Sequence, residues 1–88
     1  MEVGKEFEEK RTFIHAMRYA LRLDPRSGVR DIELIKDEER AMEIIIILFR
    51  GGHTVLINTT RNSNGANAME IMREVYGSGA FARMKGGR

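Results

Sequence analysis

Arg11, His15, Arg18 and Arg22 recur at i, i+4, i+7 and i+11. On a helix that spacing forms a single stripe, and no acidic residue falls within it. A guanidinium forks onto two oxygens, so such a row suits contact with phosphates. Arg26 and Arg30 follow closely. The same spacing is also what an ordinary solvated helix face shows. A second group is the loop Thr59-Thr60-Arg61-Asn62-Ser63-Asn64-Gly65, read as entering a helix. Free amides at a helix start favour an anion, and Arg61 adds a fork; plain capping by Ser63 or Asn64 explains the same residues. The third is the end Arg83-Met84-Lys85-Gly86-Gly87-Arg88, where Lys85 and its basic neighbours would strengthen nucleic-acid binding by counterion release.

Catalytic chemistry finds few residues. His15 belongs to the arginine stripe and His53 follows a glycine pair, and neither has a dyad partner in the sequence. Ser27, Ser63 and Ser78 fall in turns or the tail. Nothing fixes the geometry of Asp37, Glu38 and Glu39 for a hard cation. There is no cysteine, which removes disulfides, thiolate metal sites and thiol nucleophiles. The expectation is a protein that is not an enzyme and has no metal, cofactor or small-molecule substrate.

The chain has 88 residues, 42% of them hydrophobic, enough for one modest core. Lys and Arg number 15 against 13 acids, a net +2 that fits neither a nucleic-acid packager nor an acidic mimic. The first residues lack an apolar signal region, and the longest apolar run is too short for a bilayer, so a cytoplasmic protein without membrane contact is expected.

Hydrophobic periodicity predicts a helix from about Lys5 to Leu23, with Phe7, Phe13, Ile14, Met17, Ala20 and Leu21 on one face. Asp24-Pro25 stops it. Strands follow over Val29 to Lys36, Met42 to Arg50 and His53 to Thr59, then a helix from about Gly65 to Tyr76 with Gly77 after it. The prediction is an α+β fold of order α-β-β-β-α: a three-stranded antiparallel meander with two helices packed on one face. Residues 1–77 form this domain, and 78–88 a flexible basic tail.

Ile44-Ile45-Ile46-Ile47-Leu48-Phe49 is apolar without alternation and asks for cover on both sides. A two-residue turn at Gly51-Gly52 pairs Arg50 with His53, Leu48 with Val55 and Ile46 with Ile57. A five-residue connection pairs Leu34 with Ile44 and Ile32 with Ile46. The expected core face is then Ile32, Leu34, Met42, Ile44, Ile46, Leu48, Val55 and Ile57. The second face carries Ile35, Ile45, Ile47, Phe49 and Leu56, and is the expected interface of a homodimer or of another protein.

The order α-β-β-β-α resembles the double-stranded-RNA-binding domain. The resemblance implies that Arg11, Arg18 and Arg22 meet a minor groove and Arg61 the phosphates beyond it. Where that family opens its last helix with lysines, this chain has Asn62-Ser63-Asn64-Gly65-Ala66-Asn67. The stretch from Phe49 to Val75, with Gly51-Gly52, Ile57-Asn58 and Ser63, is similar to small proteins of bacterial phages and mobile elements. The expectation is a small homodimeric binding module that docks on a macromolecule. Nucleic acid is preferred; the alternative is a protein–protein inhibitor or adaptor.

Overall fold

Helix α1 (Glu2–Leu23) ends where Pro25 denies Asp24 a helical backbone. The computed structural model describes residues 2–77, with side chains from residue 5. The predicted tail over residues 78–88, and Lys85 within it, lie outside the described residues. Buried Ser27 closes the turn after α1: its hydroxyl donates to the Leu21 carbonyl at 2.6 Å and accepts from the Val29 amide at 3.0 Å. Gly28, at φ 70°, takes the left-handed step that lets β1 begin.

Strands β1 (Val29–Asp37), β2 (Met42–Phe49) and β3 (Thr54–Asn58) form an antiparallel sheet in the order β1-β2-β3. Helix α2 (Asn64–Tyr76) follows. Its N-cap is Ser63, whose hydroxyl accepts from the Ala66 amide, and Gly77 at φ 85° returns its amide to the Arg73 carbonyl. Ile14 and Leu21 of α1 and Ile71 of α2 share one buried cluster with Ile32, Leu34, Ile45, Ile47 and Ile57. The strand residues of that cluster all lie on one side of the sheet, so both helices cover the same face.

The register corrects the expected one. Phe49, not Arg50, closes the second hairpin: its amide donates to the His53 carbonyl at 3.0 Å and its carbonyl accepts from Gly52 at 2.9 Å. Arg50, Gly51 and Gly52 make a three-residue loop, with Gly52 at φ 103° in the position that favours glycine. The first hairpin is one residue shorter than expected, with Asp37 opposite Met42 and Ala41 at φ 53°. Leu34 therefore pairs with Ile45, Ile32 with Ile47, and Ile47 with Val55. Both changes have the same parity, so β1 and β3 keep their expected faces and β2 alone turns over.

This turnover removes Ile45, Ile47 and Phe49 from the expected interface. They are 0%, 0% and 8% exposed, beneath the helices. Ile44, Ile46 and Leu48 take their place on the open face, joined by Ile35 and Leu56 as expected. Leu56 is 65% exposed.

Glu43 also lies on the core side of β2. It shares the core-facing parity of Ile45 and Ile47, where a carboxylate looks out of place. Lys10 of α1 satisfies it at 2.5 Å and also donates to the Thr59 carbonyl at 3.0 Å. Beside this pair, buried Thr59 donates its hydroxyl to the side-chain carbonyl of buried Asn67, tying the end of β3 to α2.

The turnover is measurable. Ile45→Ala should cost about 2–5 kcal/mol in urea unfolding, while Leu56→Ala should stay within about 0.5 kcal/mol. A loss for Ile45→Ala as small as that for Leu56→Ala would restore the expected register, in which both residues lie on the open face.

Candidate nucleic-acid interface

The structure divides the arginine stripe of α1. Arg11, near the middle of the helix, is exposed and only loosely paired, 3.9 Å from Glu8. His15 and Arg18 instead reach the edge of the sheet. The His15 Nε2 lies 3.1 Å from the Glu33 carboxylate, and Arg18 Nη1 bridges Asp31 at 3.4 Å and Glu33 at 3.2 Å. Asp31 and Glu33 alternate with Ile32 and point away from the core on an edge strand, within reach of long side chains from the helix. Part of the positive charge read along α1 is thus spent inside the fold.

Further along α1 the pattern changes. His15, Arg18, Tyr19, Arg22, Leu23 and Arg50 line a groove of about 520 Å³. Arg50 enters from the β2–β3 loop. Its backbone amide donates to the Gly28 carbonyl at 2.8 Å, and its Nη2 to the Arg22 carbonyl at 3.4 Å. The last carbonyls of a helix lack partners within it and carry partial negative charge, so they favour this cation. Neither Arg22 nor Arg50 has a carboxylate partner among the described residues. Tyr19 and Leu23, 72% and 66% exposed, leave apolar surface beside them. Arg30, at the irregularity in β1 between Val29 and Asp31, is exposed near the same end.

The turn that supports this end is held from α2. The Tyr76 hydroxyl donates to Asp24, which also accepts from the Arg26 amide at 3.0 Å and Nε at 3.3 Å. The bond from Tyr76, then that from the Arg26 amide, holds the Asp24 carboxyl below its ordinary range. Burial, reinforced by Asp24, raises the Tyr76 hydroxyl.

Arg61 is exposed and does not join the groove. It follows β3, whose Asn58 pairs with Ile44, whereas Arg50 follows the other end of β2. The start of α2 has its own internal partners: Ser63 caps it and the Asn62 side-chain Nδ2 donates to the Glu70 carboxylate at 3.1 Å. His53 stacks on Phe49 with ring centroids 4.3 Å apart. Among the described residues no group of three or more His, Asp or Glu side chains is placed to hold a metal ion, and no helix is long and apolar enough to cross a membrane.

The stripe was visible in sequence, but Arg50, Tyr19 and Leu23 were not assigned to it. The available signal for the acids was the alternation of Asp31 and Glu33 with Ile32 and Leu34, which turns both carboxylates outward. No protein-family model, curated protein or solved structure matches the chain.

Glu33 gives the site a pH dependence. The hydrogen bond from His15 is the main cause that holds its carboxyl below the ordinary value, against the opposing effect of burial. A carboxyl lowered on folding adds stability above its unfolded pKa, roughly 4.3, and that stability is lost as pH falls through the lower folded value. Urea midpoints measured from about pH 6 down to about pH 3 should therefore fall less steeply for Glu33→Gln than for the unaltered chain. Identical slopes would mean that the His15–Glu33 contact has no energetic weight.

Proposed function

We propose that this chain is a small non-catalytic binding module that sets its basic groove against the phosphate backbone of a nucleic acid. The observation that supports this reading most strongly is the pair Arg22 and Arg50, drawn together from α1 and the β2–β3 loop without carboxylate partners among the described residues. Two guanidinium groups on one groove suit phosphate oxygens. Tyr19 supplies an exposed ring on which an unpaired base can stack. Arg18 and His15 form the wall nearest the sheet and are held in place by Asp31 and Glu33. Arg11 and Arg61, placed elsewhere, have secondary roles at most. The balanced overall charge fits a local contact rather than wrapping of a long polymer.

A second reading rests on a different observation: Ile35, Leu48 and Leu56 are exposed on one sheet face. In that reading the chain is a protein–protein module, an inhibitor or adaptor of the kind carried by phages and mobile elements, and the arginines only orient the encounter.

Fluorescence anisotropy with labelled single-stranded and duplex probes of about 20 nucleotides tests the first reading. Affinity should fall steeply with salt, and each of Arg22→Ala and Arg50→Ala should make the log–log salt slope shallower by about 0.7 on a single strand or about 0.9 on a duplex. Arg61→Ala should change it little. Salt-independent binding, or no binding to either probe, would reject the nucleic-acid reading and leave the protein–protein one.

A further inference from the structure

On the C-terminal half of α1, two short rows run side by side. Arg18 and Arg22 make one, at i and i+4; Tyr19 and Leu23 make the other. All four line the groove, and Arg50 joins them from the β2–β3 loop. The first row is cationic. The second is apolar and largely exposed, so it is surface that the fold itself does not use. Arg22 and Arg50 have no carboxylate partner among the described residues. Arg50 gives one N–H to the Arg22 carbonyl and keeps the rest of its fork for a ligand.

We infer that this groove takes unpaired nucleotides of a single strand and not the outside of a duplex. A backbone phosphate sits between Arg22 and Arg50, and the adjoining base lies on Tyr19 beside Leu23. The inference rests on the phosphate reading above and narrows it.

The two rows favour a single strand on chemical grounds. A duplex keeps its bases stacked inside and presents phosphates and sugars, so docking one here would press Tyr19 and Leu23 against charged backbone. A single strand shows the faces of its bases, and a ring can stack on any of them. The two cations beside Tyr19 then meet the phosphate that accompanies the stacked base.

Size and charge agree. The groove, at about 520 Å³, has the capacity of a small-molecule site, which runs from roughly 300 to 1,000 Å³, so about one or two nucleotides fill it. Contact along a duplex needs cations spread over its length. The stripe on α1 does not supply them. His15 and Arg18 are held by Asp31 and Glu33. Arg11 lies beside Glu8, eight residues and about 12 Å along the helix from Tyr19. Arg61 lies toward the opposite end of the sheet.

Fluorescence anisotropy with three labelled probes tests the inference: a single strand of about 20 nucleotides, the same strand carrying abasic sites, and its blunt duplex, the first and last as both DNA and RNA. At about 0.1 M salt the single strand should bind at least about tenfold more tightly than its duplex, in one sugar series or in both. Tyr19→Ala should weaken single-strand binding about fivefold or more, and Tyr19→Phe, which keeps the ring, should stay within about twofold. Neither change should alter the log–log salt slope, because no phosphate contact is lost. On the abasic strand and on the duplex, Tyr19→Ala should change affinity little. A duplex bound as tightly as the strand, or a Tyr19→Ala effect absent from the strand or equal on all three probes, overturns the inference. The phosphate reading then still stands if Arg22→Ala and Arg50→Ala make the salt slope shallower. No binding to any probe overturns both.

Discussion

Strand β2 is apolar on both faces, and both helices of this chain cover the same one. That constraint organises the rest. Ile45, Ile47 and Phe49 supply the centre of the core, and each large apolar side chain buried there contributes about 1.5–3 kcal/mol. Ile44, Ile46 and Leu48, one step away along the same strand, lie on the face that the helices leave open. The helices cannot divide between the two faces, because Lys10 and Ile14 of α1 and Asn67 and Ile71 of α2 are committed to the Ile45 side.

The same layout separates the charges. Acids that alternate outward on β1 meet the flank of α1, and Arg18 and His15 bend to them. Cations beyond that contact, Arg22 and Arg50, gather around the end of α1, where its last carbonyls draw the Arg50 side chain. A chain with little net charge thereby acquires a basic end. The α1–β1 turn beneath that end is fixed from three directions: Ser27 within it, Arg50 from the hairpin and Tyr76 from α2.

Element order and strand limits to within a few residues were legible, because helix periodicity, Asp24-Pro25, Ser63 and Gly77 each carry a local physical signal; which sheet face each helix covers carries none, since it is decided by tertiary packing. The register of β2 was not legible either. A strand with six apolar residues in succession has no alternation to declare its inner face, so the decision passed to the turns. Gly51-Gly52 is compatible with both two-residue and three-residue hairpins, which differ in parity. Glu43 lies on the core side of β2 with no local sign of it, because its partner Lys10 is thirty-three residues away. The groove was legible in part for a similar reason: Arg18 and Arg22 sit on one helix, whereas Arg50 arrives only through tertiary packing.

The side of β2 that faces solvent is the claim on which both the core and the open surface depend. It is tested most directly by methyl NMR of the isoleucines with a soluble nitroxide, at a concentration low enough to keep copies apart. The Ile44 and Ile46 methyl signals should be broadened strongly, and those of Ile45 and Ile47 spared. The opposite pattern, with Ile45 and Ile47 broadened, would contradict the account.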